Sequence, residues 1–231
     1  MIGFDPLYFV LIAPAIFLAV WAQARVRSAY TQGMQEPSRT TGANAARAIL
    51  DQAGLHDVPV EETQGQLSDH YDPTNRAVRL STEVYHSRSL AAVGIAAHEV
   101  GHAIQHARHF APFVLRGIAV SAAVWAPNLS LILILVGALL SSPGVIWLGI
   151  LVFGAVVVFQ VINLPVEFDA SWRAKRLLPQ LGLVDAHGSQ VVASVLNAAA
   201  LTYVAATLQS VLTLLYYMIR YGGAGQAYDR R

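Results

Sequence analysis

The stretch Ser89-Leu90-Ala91-Ala92-Val93-Gly94-Ile95-Ala96-Ala97-His98-Glu99-Val100-Gly101-His102-Ala103-Ile104-Gln105 decides how the rest of the chain is read. Ser87 or Ser89 offers a helix N-cap, and Pro112 closes a helix that runs through His109. Inside it, His98 to His102 match H-E-x-x-H. Residues four apart share one helix face, about 6 Å apart along the axis, so two imidazoles can converge on one ion. Glu99, one step round, then stands beside the metal, placed to take a proton from a water whose pKa the ion lowers. The plainer reading is two histidines and a glutamate satisfied inside a helical core. It would leave a buried carboxylate at high cost. The alanines and Gly101 around the motif allow neighbouring elements to approach closely.

A catalytic zinc takes three protein ligands and keeps a fourth position for water. His106 and His109 extend the histidine stripe. His106 lies eight residues from His98, roughly 12 Å along the axis, too far to share an ion whose bonds to nitrogen are about 2.1 Å. Both are expected at the membrane interface or the rim of the site. Working outward, Asn163-Leu164-Pro165-Val166-Glu167-Phe168-Asp169-Ala170-Ser171 opens a second polar segment. Glu167 is the leading third ligand and Asp169 its competitor. On a helix the two point about 200° apart, so one ion would not take both. The plain alternative for Glu167 is a solvated carboxylate at a helix N-terminus.

The rest of the chain is apolar. Hydrophobic residues make up 55% and charged residues 13%, against roughly 25% charged in soluble domains. Four segments reach the ~20 residues that a membrane helix needs: Leu7–Ala24, Phe113–Leu140, Pro143–Asn163 and Val195–Ile219. The second is over-long and contains Arg116, Pro127 and Asn128, which suggests tilt, a kink, or an interfacial start. The fourth carries Asn197, Thr202, Tyr203, Thr207 and Gln209, so one face should pack against protein. The first follows no basic region and precedes no good cleavage site, so it is expected to be a retained anchor. Twelve of the fifteen Lys and Arg lie in 25–116 and 164–190. These segments are therefore expected to be cytoplasmic, with both termini outside; Arg220, Arg230 and Arg231 mildly oppose this. The net charge of +1 argues against nucleic acid as partner. Without cysteine there is no disulfide or thiolate site.

Within the first charged segment, Thr41 caps an expected helix Gly42–Ala53 that Gly54 ends. Val58–Tyr71 and Ala77–Ser81, joined by Asp72-Pro73-Thr74-Asn75, read as a β-hairpin. The strand Ala77–Ser81 is a candidate open edge for pairing with an extended substrate.

With these residues in view the chain resembles the neutral zinc metallopeptidases of bacterial membranes, the YugP-type family, and more distantly the HtpX-type and CAAX-prenyl-type membrane gluzincins. The resemblance rests on the blocks 89–105 and 163–171, together with Leu67-Ser68-Asp69-His70-Tyr71-Asp72-Pro73 and Val78-Arg79-Leu80-Ser81. It implies one Zn2+ held by His98, His102 and Glu167, with Glu99 as general base. Gluzincins place an aspartate four residues after the ligand glutamate to support a histidine. Here Ser171 holds that position and Asp169 lies close by, so both are candidates for supporting the ligands. Tyr203, His187 and Arg173 are candidates for stabilising the transition state.

The expected fold is mainly α: a polytopic membrane protein with about four transmembrane helices and a small cytoplasmic α+β gluzincin-like catalytic domain. It divides into an anchor (1–24), a catalytic segment with the H-E-x-x-H helix (25–112), a transmembrane pair (113–163), a segment with the third ligand (164–194), and a C-terminal helix and tail (195–231). The expected activity is metalloendopeptidase cleavage of membrane or membrane-associated proteins, near the cytoplasmic face of the cell membrane. The partners are then protein or peptide substrates and the lipid bilayer. A metal-stabilised membrane scaffold without turnover is the alternative. A site-2-type intramembrane protease is disfavoured, because no downstream acidic residue precedes glycine.

Overall fold

The computed structural model describes residues 5–221. Residues 1–4 and the tail 222–231, with Arg230 and Arg231, lie outside the described residues. In chain order come α1 (Pro6–Gln35), α2 (Gly42–Gln52), β1 (Val60–Thr63), β2 (His70–Asp72), β3 (Ala77–Ser81), α3 (Thr82–His86), α4 (Leu90–Ala107), α5 (Ala111–Leu139), α6 (Pro143–Gln180) and α7 (Ala186–Tyr221). Helix dominates. The chain forms two compact units, one of Met1–Val20, Leu115–Leu164 and Tyr203–Arg231, the other of Trp21–Val114 and Pro165–Thr202.

Four helices, α1, α5, α6 and α7, are long and apolar enough to cross a membrane. Helix α1 runs on to Gln35 and α6 to Gln180, well past the apolar runs read from the sequence. Helical hydrogen bonding continues where the side chains turn polar, so hydropathy locates the span and not the helix end. Within the first unit α5 and α6 make a close hairpin. Gly149 approaches Ile134, and the Ser130 hydroxyl donates to the Gly149 carbonyl at 2.8 Å. Small residues and such hydrogen bonds hold helices together where lipid gives no hydrophobic drive. The helix α5 passes through Pro127 as one element. On α7 the hydroxyls of Thr207, Ser210 and Thr213 donate back to carbonyls four residues earlier, which removes their cost in an apolar setting. Trp125, Ile118 and Leu151 are exposed, as lipid-facing residues would be.

The second unit is built round α4. Ser89 caps it, its hydroxyl accepting from the Ala92 N–H. Nearly every side chain from Leu90 to Gln105 is buried. Helix α2 lays Ala45, Ala46, Ile49 and Leu50 into the same core as Val78, Leu80 and Val100. Thr41 caps α2, and Gly54 follows it at φ +75°, as read from the sequence.

The sheet departs from the expected hairpin. Strands β2 and β3 do pair antiparallel, with Tyr71 opposite Val78, and the Asp72 carboxylate accepts from the Thr74 and Asn75 N–H groups in the turn. A third strand, β1, lies parallel on the other side of β3, giving the order β1-β3-β2. The strand β3 is therefore central, its residues almost all buried, and it offers no open edge. The edge strands are β1 and β2. Val58–Tyr71 is not one strand because Gln64 to Asp69, with Gly65 at φ +105°, carry the chain from one edge to the other.

Candidate metal centre

His98 and His102 project from one face of α4, one turn apart, with ring centroids 4.8 Å apart. The third group comes from α6. Glu167 Oε2 lies 3.3 Å from His98 Nε2 and 3.7 Å from His102 Nε2. All three ligand atoms fall within 4.8 Å of one another, and Glu167 and His102 are buried. Glycine makes this approach possible. A Cβ on Gly101 would stand 2.8 Å from the Ala170 carbonyl oxygen and 2.9 Å from its Cα. Only a residue without a side chain lets α4 and α6 come close enough here.

The far nitrogens of the two rings are also engaged. His102 Nδ1 lies 3.0 Å from Gln105 Oε1, and His98 Nδ1 lies 3.1 Å from Ser171 Oγ. Gln105 is fully buried. Its amide nitrogen donates to the Val166 carbonyl at 2.7 Å and to Asp169 Oδ2 at 2.8 Å. With both amide protons spent on those acceptors, Gln105 can only accept from His102, so the His102 proton sits on Nδ1. In the neutral ring that a metal ligand requires, Nε2 then carries a lone pair facing the Glu167 carboxylate. Lone pair against anion is unfavourable without a cation between them. A tetrahedral zinc with bonds of about 2.1 Å would set its ligand atoms about 3.4 Å apart, close to the 3.3 and 3.7 Å found. The donor set therefore fits a zinc ion, one carboxylate and two imidazoles being borderline ligands that suit it.

Glu99 is buried beside the rings. Its Oε2 accepts from the Tyr71 N–H at 3.0 Å. Burial pushes its carboxyl up to about 6, against the attraction of His98, which puts it in the range of an acid–base group working near neutral pH. The Tyr71 hydroxyl meets His106 Nδ1 at 2.9 Å, and the His106 ring stacks on Phe113, whose ring lies 6.1 Å from that of His102. His106 thus borders the cluster without joining it, and His109 is exposed past the helix end.

Asp169 and Ser171 both touch the ligand histidines' surroundings, by different routes. Ser171 reaches His98 directly, whereas Asp169 acts through Gln105 and is itself gripped by Arg173, whose Nε donates at 2.6 Å. Arg173 is thereby committed to Asp169, and His187 pairs with Glu36 at 3.3 Å. Sequence reading missed Gln105, although it stands three residues after His102 where a helix brings side chains together. It also missed Tyr71 and Asp69. The Asp69 carboxylate accepts from the Ser81 N–H and hydroxyl, and burial raises its pKa.

Comparison with known proteins identifies the family. The family described as "Putative neutral zinc metallopeptidase" matches residues 8–222. The protein named "Putative membrane protease YugP" in Bacillus subtilis (strain 168) is 46% identical over 215 residues, 92% of this chain and 96% of that one. No solved structure matches. On that extent of similarity, the chain belongs to the neutral zinc metallopeptidase family so described.

Proposed function

We propose that the protein is a membrane-bound zinc metalloendopeptidase, with Glu99 as general base and His98, His102 and Glu167 as the metal ligands. The observation that carries this reading is the buried convergence of two Nε2 atoms and one carboxylate beside a second carboxylate, that of Glu99, held by the Tyr71 N–H. A scaffold metal site needs the first three groups and has no use for the fourth.

A zinc ion held there supplies Lewis acidity, polarising a scissile carbonyl and making water a better nucleophile at neutral pH. The remaining work belongs to the chain. Glu99 takes a proton from the attacking water as its oxygen bonds to the carbonyl carbon. The same carboxyl then delivers that proton to the amine nitrogen as the C–N bond breaks. Tyr71 N–H holds Oε2 of Glu99, which leaves Oε1 to carry the proton.

Strand β2 is the edge best placed to receive substrate. The Tyr71 N–H points away from β3 and is held by Glu99, so an extended peptide laid along that edge would pass the base and pair through other backbone groups. Pairing of this kind reads backbone and tolerates varied side chains. The four apolar helices favour membrane proteins or their water-exposed segments as substrates. The distribution of Lys and Arg favours a site near the cytoplasmic face of the cell membrane.

The test is Glu99→Gln in the full chain, reconstituted in nanodiscs. It should keep one zinc per chain by elemental analysis and lose cleavage of casein and of membrane-protein substrates. Unchanged cleavage would remove Glu99 from the mechanism. A wild-type protein that holds zinc and cleaves nothing would leave the scaffold reading in its place.

A further inference from the structure

On the surface of the second unit, a cleft of about 240 Å³ opens between the C-terminal ends of α2, α4 and α6. Arg108, Arg173 and Arg176 line it together with Trp172, over a floor that includes Ile49 and Leu177. Among the described residues, no carboxylate lines it. Arg173 is bonded to Asp169, while the Arg176 guanidinium lies 5.2 Å above the Trp172 ring. Neither Arg108 nor Arg176 makes an ion pair among the described residues.

Basic residues at helix C-termini often serve to satisfy terminal carbonyls. That role is largely filled here by backbone, because a pair of N–H groups closes the last turn of each of the three helices. After α2, Leu55 N–H donates to the Leu50 carbonyl and Gly54 N–H to that of Asp51. After α4, Phe110 N–H donates to Gln105 and His109 N–H to His106. After α6, Leu183 N–H donates to Leu178 and Gly182 N–H to Pro179. Gly54, His109 and Gly182 all have the positive φ that such a pair of hydrogen bonds requires. Six of the terminal carbonyls are taken in this way without any arginine, which leaves the guanidinium groups for another partner.

We propose that this cleft binds a phosphate-bearing anion, either a phospholipid headgroup or a soluble phosphate. Guanidinium forks match phosphate oxygens in pairs, and the cleft is smaller than the roughly 300–1,000 Å³ of drug-sized pockets, as a single headgroup requires. The Trp172 side chain, half exposed, presents an apolar ring and an N–H donor, a combination enriched at membrane interfaces. Arg173 belongs both to the cleft and to the chain Asp169–Gln105–His102, so the anion would sit one residue from the groups that orient a metal ligand.

The experiment uses the full chain in nanodiscs. Inorganic phosphate is titrated into protein in pure phosphatidylcholine, and retained lipid is identified by native mass spectrometry from mixed phosphatidylcholine and phosphatidylglycerol. At least one anion should bind, and Arg108→Gln/Arg176→Gln should weaken it at least tenfold without changing zinc content. Both side chains are exposed, so the variant should fold. Arg108→Lys/Arg176→Lys, which keeps charge and loses the fork, should fall between. Binding of phosphate alone names a soluble ligand, and selective retention of phosphatidylglycerol names a headgroup. Failure of both anions to bind would overturn the proposal. So would a double glutamine variant that binds as tightly as the wild type.

Discussion

Replacing Gly101 by alanine tests whether the metal centre depends on how closely α4 meets α6. The added methyl would lie 2.8 Å from the Ala170 carbonyl oxygen, 2.9 Å from its Cα and 3.1 Å from its Cβ. Carbon atoms in favourable contact stand about 3.5–4.0 Å apart, so the helices must separate by roughly 0.6–1 Å. Two of the three atoms struck are backbone, so no rotamer change relieves the clash. Helix α4 cannot simply retreat, because α2 and the sheet pack against its other faces. Overpacking of this kind costs about 1–3 kcal/mol of stability. The effect on the metal should be larger in proportion, since ligand positions tolerate only about ±0.2 Å. Glu167 rides on α6 and would leave His98 and His102 behind on α4. We expect zinc affinity to fall at least tenfold, read by chelator competition on the reconstituted protein, with a lowered unfolding temperature. Gly94→Ala is the control: its methyl would meet the Val192 side chain at 3.2 Å, on α7 and away from Glu167. Zinc binding at wild-type strength in Gly101→Ala would refute the claim that this contact sets the ligand spacing.

Further predictions concern the neighbouring groups. Gln105→Leu should leave the His102 Nδ1–H without its acceptor and weaken zinc binding about 10–100-fold; unchanged affinity in the chelator assay would deny Gln105 its orienting role. Glu167→Ala should abolish stoichiometric zinc, whereas Asp169→Ala should retain it with reduced affinity, and the reverse order would exchange their assignments. The Asp72 carboxyl is held down to about 2, chiefly by the Asn75 side chain and N–H. Its folded pKa lies below the ordinary carboxylate value, so its support of the turn is complete above about pH 4. That support should fade as pH falls towards 2. Hydrogen-exchange protection of the Thr74 and Asn75 amides, taken relative to their intrinsic rates, should fall over that window in the wild type; in Asp72→Asn those amides should show no such acid-dependent step. Equal acid loss of protection in the two proteins would contradict it.

Much of the fold was legible because it rests on local signals. The cap at Thr41, the glycine at 54 and the four apolar runs each act within a few residues and stand where the sequence places them, and of the two serines offered as a cap for α4 the structure uses Ser89. What escaped depended on distant pairing. Nothing in Val60–Thr63 announces that it runs parallel to Ala77–Ser81, because parallel partners share no turn. The same holds at the site. The four-residue spacing puts His98 and His102 on one helix face, and Glu167 could be singled out as a carboxylate after an apolar span. Gln105 carried no such mark. Its place comes from where its amide protons go on another helix, and Ser171 meets His98 directly while Asp169 reaches His102 only through Gln105, an arrangement that only the α4–α6 approach decides.

The order of the groups along the chain has a consequence for biosynthesis. A ribosome releases the two imidazoles and the base first, then all of α5 and the apolar half of α6, and only afterwards Glu167, Asp169 and Ser171. An incomplete translation product ending before Pro165 therefore lacks the third proposed ligand, together with the serine and aspartate that steady the other two. On the proposed assignment, chain order alone withholds the complete ligand set until α5 and the apolar half of α6 have been made.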